Sequence, residues 1–249
     1  MIFNIISIFP EMFDSILHYG VLGRAFTNDI CSLNFNNPRD FVSDSYKRID
    51  DKPFGGGPGM VMKIAPLEDA IKMALQQQQT LDVKKNIRIY MSPQGKPCNQ
   101  ALVSELLQYD GIIFVCGRYE GIDERCIERN IDLEISIGDF VVSGGELPAM
   151  MLIDALMRHI PGVLHDKDSA QADSFVSGLL DHPHYTIPRE YDGMNVPEVL
   201  LSGNHEQIKL WRLQMSLWHT YKKRPDLLQS KQLTKIESGL LQDAIKRFE

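Results

Sequence analysis

The sequence predicts an α/β protein with a mostly parallel sheet, followed by a small C-terminal all-α domain. Strand-like segments alternate with helical ones through the first 158 residues, which is the pattern of such folds. Residues 111–116 are continuously apolar, as in a strand that is buried on both faces of a parallel sheet. Beyond about residue 174, apolar residues recur only at helical spacing.

The predicted elements of the first part follow one another regularly. Proline and acidic residues open the first helix, and Gly20 ends it. The second helix closes with a glutamine run, residues 76–79, which we expect to be solvated. The predicted strands are residues 2–8, 31–35, 86–91, 111–116 and 132–137, and the predicted helices are residues 10–17, 65–79, 99–108, 122–129 and 147–158.

The organising stretch is residues 138–145, between the last strand and the helix that follows it. Its glycines permit positive φ and close approach of the main chain to a ligand. Ser143 and Glu146 have the spacing of a capping box, so the serine is a candidate helix cap. Pro148 favours instead a helix start near Gly145, because proline belongs in the first turn. Taken alone, the stretch fits an ordinary strand–loop–helix connection equally well.

Glycine-bearing loops follow three consecutive predicted strands, at residues 92–95, 117–121 and 138–145. In a parallel sheet, ligands bind outside the carboxyl ends of the strands. The three loops are therefore expected to converge on one site.

The domain organisation follows from composition. Pro161 and the glycine after it break the last helix, and we predict a domain over residues 1–161, a flexible linker over 162–173 and a helical domain over 174–249. In the last of these, Trp211 and Trp218 share one helical stripe, a pattern more typical of core than of a stacking platform.

Composition excludes several classes of protein. No apolar run reaches the roughly 20 residues of a membrane span, and the N-terminus lacks the marks of a signal peptide. The four cysteines include no C-x-x-C pair, which favours a reduced, cytoplasmic protein. The net charge of −7 argues against a protein that binds nucleic acid through an overall positive charge. Residues 1–161 hold 15 Lys and Arg against 21 Asp and Glu, and residues 162–249 hold 11 against 12, so any polyanion contact is expected in the second part.

Several motifs have ordinary explanations. The glycines of residues 55–59 are not followed by the Lys-Ser/Thr of a phosphate loop. His182 and His184 lack a third ligand at zinc spacing, so surface histidines are the favoured interpretation and no metal site is predicted. By default, Arg158 would form a surface salt bridge and Asp173 would cap a helix.

Seven segments, taken in order, resemble the bacterial tRNA (guanine-N(1)-)-methyltransferase family TrmD, of the SPOUT class. Each segment alone is weak, but the ordered set is specific. They are YKRIDDKPFGGGPGM at 46–60, SPQG at 92–95, CGRYEGIDER at 116–125, GDFVVSGGE at 138–146, DSF at 173–175, GLLDHPHYT at 178–186 and LSGNH at 201–205 with WR at 211–212.

The resemblance implies a deep trefoil knot in the first domain, S-adenosylmethionine as methyl donor, tRNA as substrate and a homodimer whose active site lies between subunits. It also implies Mg²⁺, with Glu120 as a candidate contributor, although no ligand set can be read from the sequence. The implied cofactor residues are Met91, Ser92, Pro93, Gly95, Gly117, Tyr119, Glu120, Ile137, Gly138, Asp139, Phe140, Val141, Val142, Gly144 and Gly145.

For catalysis, the resemblance assigns a general base to Asp173 and electrostatic stabilisation of the guanine oxygen to Arg158, which replaces the two default interpretations. Asp181 and His184 would lie near the target base, the guanosine just 3′ of the anticodon. The chain departs from the family pattern at Phe140, where tyrosine is frequent, and at Ile187, where arginine is usual. The first change keeps the ring, whereas the second removes one basic contact to RNA.

Two alternatives stay open from the residues alone. One is another SPOUT RNA methyltransferase that acts on a ribose 2′-hydroxyl. The other is a non-catalytic RNA-binding adaptor, which the charge asymmetry and the histidine-rich second part favour.

Overall fold

The computed structural model describes residues 1–166, 170 and 173–248. The chain forms two compact units, Met1–Lys167 and Asp168–Glu249. The predicted linker, 162–173, includes residues 167–169 and 171–172, which lie outside the described residues.

The first unit is built on a five-stranded parallel sheet, as predicted. Its strands are β1 (Ile2–Ile6), β2 (Ser32–Asn36), β5 (Asn86–Pro97), β6 (Gly111–Val115) and β7 (Leu133–Ser136). They lie in the order β2-β1-β6-β5-β7, so the continuously apolar β6 is the central strand. Two short strands, β3 (Asp50–Asp51) and β4 (Val61–Met62), form a separate antiparallel pair that the sequence did not predict.

Helices cover both faces of this sheet. They are α1 (Asp14–His18), α2 (Gly20–Thr27), α3 (Ile64–Thr80), α4 (Gln100–Leu106), α5 (Glu124–Asn130) and α6 (Glu146–Met157). Alternate residues of β6 point to opposite faces: Ile112 and Phe114 join one apolar cluster, and Ile113 and Val115 join the other. Burial on both faces explains why the whole strand is apolar.

Three local predictions were wrong. The predicted first helix is a 3₁₀ turn, Pro10–Phe13, followed by α1, and Gly20 (φ 67°) opens α2 rather than ending a helix. The third strand continues to Pro97, through the predicted loop at residues 92–95. Gln78 in the glutamine run is fully buried, and its amide donates to the side-chain oxygen of Asn4 at 3.0 Å.

The second unit is mainly helical. Its helices are α7 (Glu198–Leu201), α8 (His205–Lys223), α9 (Pro225–Gln229) and α10 (Lys235–Phe248). A short antiparallel pair, β8 (Glu190–Tyr191) with β9 (Met194–Asn195), means that the unit is not all-α. Among the residues that the structure describes, no helix is long and apolar enough to cross a bilayer.

Candidate active site

Residues 90–93 within β5 and the segments that follow β6 and β7 line a cavity of about 200 Å³ in the first unit. This is the convergence of strand-end segments that the sequence predicted. Twelve of the fifteen implied cofactor residues line it: Met91, Ser92, Pro93, Gly117, Tyr119, Glu120, Ile137, Phe140, Val141, Val142, Gly144 and Gly145.

The other three implied cofactor residues are placed differently. Gly138 (φ 145°) and Asp139 lie in the connecting segment after β7 but are not among the lining residues. Gly95 packs against the backbone of β7: a Cβ there would lie 2.4 Å from the carbonyl carbon of Glu134 and from the nitrogen of Ile135. Glycine at this position is therefore required by strand packing.

Close main-chain approach also shapes the cavity wall. The Gly145 amide donates to the Gly117 carbonyl at 3.0 Å, joining the segments after β6 and β7. A Cβ on Gly145 would lie 2.7 Å from the Cα of Cys116. At the start of the turn, the Ser136 hydroxyl donates to the Gly138 carbonyl at 3.0 Å. Only small residues let these segments meet, which leaves backbone groups to face a ligand.

Four polar lining residues were not among the predicted cofactor residues: Tyr90, Arg118, Ser136 and Ser143. Tyr90 borders the cavity, and burial, together with the nearby Glu134 carboxylate, raises the pKa of its phenol to about 12. The group is therefore a neutral hydroxyl at physiological pH. Arg118 also lines the cavity, and its Nε lies 2.9 Å from Oε2 of the fully buried Glu146. The sequence shows glycines near Tyr90 and Arg118, but it does not show that these two side chains are buried.

The start of α6 decides between the two capping alternatives. Its N-cap is Gly145, and no side chain caps it, so the expectation from Pro148 was correct and the Ser143 cap was wrong. Glu146 faces the interior instead, where Ser7 Oγ donates to its Oε1 at 2.6 Å.

A second concavity adjoins the first and shares Ile137, Phe140 and Val142 with it. Arg158, at the C-terminal end of α6, lines this groove together with Asp154. Large apolar side chains are exposed along it, notably Tyr19, Leu147 and Met151.

The remaining predicted site residues belong to the second unit. Asp173 is half-buried. Asp181 Oδ2 accepts from the His184 ring at 2.8 Å, and its Oδ1 accepts from the His182 amide at 2.7 Å. Partial burial raises the pKa of Asp181, but these hydrogen bonds outweigh it and lower the pKa below its ordinary value. The carboxyl group is therefore ionised at neutral pH. Ile187 is 87% exposed.

Asp181 also supplies the third potential metal ligand that the spacing had not indicated. One ligand atom from each of Asp181, His182 and His184 lies within 4.8 Å of the others. The hydrogen bonds of Asp181 account for this proximity without an ion. The His182 and Tyr185 rings also pack 6.5 and 6.3 Å from Trp211, between ring centroids, so Trp211 contacts the motif as well as the helical core.

A parallel sheet whose glycine-lined strand ends enclose a cavity places the first unit among the ligand-binding α/β proteins. Comparison with known proteins gives the particular family: the family model described as tRNA (Guanine-1)-methyltransferase TrmD matches residues 1–230. The chain belongs to this family.

Curated relatives agree with the match. A protein of Nitrosospira multiformis is 53% identical over 247 residues, covering 99% of this chain and 95% of the relative. One of Chromobacterium violaceum is 56% identical over 236 residues, covering 95% and 92%. One of Pseudomonas syringae pv. tomato is 55% identical over 243 residues, covering 98% and 96%. Each of these relatives is called tRNA (guanine-N(1)-)-methyltransferase.

Proposed function

We propose that this protein transfers a methyl group from S-adenosylmethionine to ring nitrogen 1 of the guanosine just 3′ of the anticodon in tRNA. Family membership over residues 1–230 carries the proposal. The cavity at the strand ends supports it, because twelve of the implied cofactor residues line one space.

The lining suits such a cofactor. Gly117, Gly144 and Gly145 add no side chain to the cavity wall, so adenine, ribose and the amino-acid part can approach the main chain closely. Phe140 and Val141 are exposed apolar side chains at the same wall and can cover an adenine ring. When bound, the sulfonium supplies an electrophilic methyl carbon. Phe140 retains the ring of the tyrosine that is frequent in the family, so we expect cofactor binding to survive that departure.

The reaction needs a base, because ring nitrogen 1 of guanine carries a proton at neutral pH and is a poor nucleophile until that proton leaves. We assign its removal to the Asp173 carboxylate, which takes up the proton as general base. Negative charge then develops on the guanine oxygen, and we assign its stabilisation to the Arg158 guanidinium. Asp181 and His184 are proposed to contact the target base and its neighbour.

We propose further that a second copy of the chain completes the active site. The exposed apolar side chains of the groove beside Arg158 are of the kind that an obligate partner covers. The family resemblance places the two parts of one site on different chains. On this proposal the first unit binds the cofactor, the second unit binds tRNA, and the homodimer works in the cytoplasm.

The trefoil knot and Mg²⁺ belong to the same proposal. The knot is what the family resemblance implies. In the structure, the pairing of β5 with β7 shifts register between Met91 and Lys96, both of which pair with Ile135. Glu120 at the cavity is the candidate contributor to Mg²⁺ binding.

The experiment is transfer of a labelled methyl group to unmodified tRNA, followed by mapping of the labelled nucleotide. Label on ring nitrogen 1 of the guanosine supports the proposal. Label on a ribose favours another SPOUT methyltransferase, and tRNA binding without label favours the adaptor.

The roles of the residues are tested with variants in the same assay. Asp173→Asn is expected to bind the cofactor but to lose at least roughly 100-fold in rate, the low end for a general base. Asp243→Asn, at an exposed position of α10, is the matched control and should keep the wild-type rate. Near-normal turnover of Asp173→Asn would reject its role.

A further inference from the structure

The strongest feature outside the predicted site residues is a buried ion pair beside the cavity. Glu146 is the first residue of α6 and is fully buried, and the Arg118 side chain is only 14% exposed. Nε of Arg118 lies 2.9 Å from Oε2 of Glu146, while Ser7 Oγ donates to Oε1 at 2.6 Å. Burying two charges is costly even when they are paired, and a well-packed apolar pair is often as stable. The arrangement therefore calls for a role other than stability.

Glu146 fixes the position of Arg118 from one side. From the other side, the guanidinium lies over the ring of Phe9, 4.8 Å from its centroid, and Nη2 contacts the sulfur of Met12 at 3.0 Å. Ser7 and Phe9 follow β1, and Glu146 begins α6, so the arginine is held by elements on two sides of the cavity wall. The planar guanidinium suits such a site because its donors point in fixed directions.

The remaining edge of the guanidinium faces residues 138–145. Nη1 donates to the main-chain carbonyl of Ser143 at 3.1 Å. The backbone of Gly144 lies so close that a Cβ there would be 2.3 Å from Nε of Arg118. The segment therefore folds directly against the arginine, and the glycine is what permits this contact.

We propose that Arg118 is a positioning residue: held by Glu146, which Ser7 hydrogen-bonds in turn, it fixes residues 138–145 in the conformation that forms the wall of the cavity. The consequence is that Arg118 sets the affinity for the methyl donor, and this consequence rests on the proposed function. Asp173 and Arg158 would be unaffected, because Arg118 acts through the donor-binding segment.

The decisive variant is the double substitution Arg118→Met with Glu146→Gln. It removes both charges, so no unpaired charge stays buried and the protein should fold. Arg118→Lys keeps the charge but loses the two-pronged geometry, and should lie between wild type and the double variant. Arg125→Met is the matched control: Arg125 pairs with Asp123 at 2.7 Å, but its side chain is 64% exposed and it is not among the cavity lining.

Three measurements separate positioning from stability. Hydrogen exchange of the ligand-free protein reports on the amides of residues 138–145, which should exchange about tenfold faster or more in the double variant and at the wild-type rate in Arg125→Met. Calorimetric binding of S-adenosylhomocysteine should weaken about tenfold or more, as expected for the loss of a charge-assisted hydrogen bond. In the methyl-transfer assay, KM for the donor should rise while kcat at saturating donor stays close to wild type.

Each outcome decides the proposal. Faster exchange with weaker donor binding supports it. Unchanged exchange of residues 138–145 overturns it, as does faster exchange with wild-type donor affinity, and a change confined to the melting temperature assigns Arg118 a structural role only. Failure of the wild-type protein to bind donor or product would overturn the proposed function instead, and the exchange comparison would still decide whether Arg118 fixes the segment.

Discussion

Gly95→Ala tests whether strand packing rather than ligand binding requires the glycine in the segment SPQG. Gly95 lies in β5 at a register shift, between Met91 and Lys96, which both pair with Ile135 of β7. A Cβ would lie 2.4 Å from main-chain atoms of Glu134 and Ile135, whereas ordinary contact begins at 3.4 Å. The two strands must therefore separate by about 1 Å. Overpacking typically costs 1–3 kcal/mol, and the upper end applies because both surfaces are backbone.

The magnitude follows from two opposing effects. Alanine restricts the unfolded chain and so recovers roughly 0.4–1 kcal/mol. The free energy of unfolding should therefore fall by about 2–2.6 kcal/mol, which lowers the ratio of folded to unfolded protein by about 30- to 80-fold. Such a loss should shift the urea midpoint by about 1 M or more.

The assay is urea denaturation followed by far-UV circular dichroism. Both tryptophans, Trp211 and Trp218, belong to the second unit, so tryptophan fluorescence reports on that unit separately. Gly239→Ala is the control, because Gly239 is an exposed glycine of α10 and a Cβ added there would meet nothing within 4 Å. It should stabilise that helix by about 0.8–1 kcal/mol. An unfolding free energy for Gly95→Ala within about 0.5 kcal/mol of wild type would refute the packing argument.

Three further predictions concern the second unit. The Leu180 amide donates to Thr220 Oγ1 at 2.9 Å, and Thr220→Val removes this acceptor. Unfolding followed by tryptophan fluorescence should show that the free energy of unfolding falls by about 1–3 kcal/mol, and by less in Thr220→Ser. Burial and the nearby Lys223 lower the pKa of His219 below its ordinary 6.5. The unfolded chain therefore binds the proton more readily, and stability falls as pH drops below about 6.5. His219→Gln should flatten this pH dependence of the melting temperature, and an unchanged profile would contradict the prediction. Ile187→Arg restores the basic residue usual in the family, so tRNA binding should tighten and its dependence on the logarithm of salt concentration should steepen by just under one; an unchanged salt slope would exclude a new phosphate contact.

The sequence alone was sufficient to predict those features that depend on patterns among neighbouring residues. Each strand of the main sheet and the long helices of the first unit were predicted because their periodicity is a property of adjacent residues. β6 is apolar throughout because, as the central strand, it is buried on both faces. The expectation that glycine-bearing segments after three strands share one cavity held for the segments after β6 and β7. The third segment, residues 92–95, lies within β5, and its glycine does not line the cavity. The ordered motifs predicted the family, which the match over residues 1–230 confirms.

Other features depend on residues that are distant in the chain. Gln78 was expected in solvent but is buried, because Asn4 lies beside it and accepts its hydrogen bond. Ser143 and Glu146 were interpreted as the two members of a capping box, yet Glu146 faces inward, towards Ser7 and Arg118. Each of these side chains is buried with a partner from another element on one of its polar atoms: Asn4 for the Gln78 amide nitrogen and Ser7 for Oε1 of Glu146.

The sequence by itself determined which segments form the sheet, which loops meet at its edge and which family the chain belongs to. Only the tertiary structure decided which glycines are required for packing, which charges are buried and which side chain supports residues 138–145. The physical reason is that secondary-structure propensity and periodicity act between near neighbours, whereas burial of a charge or close approach of two strands depends on atoms that folding brings together from far along the chain.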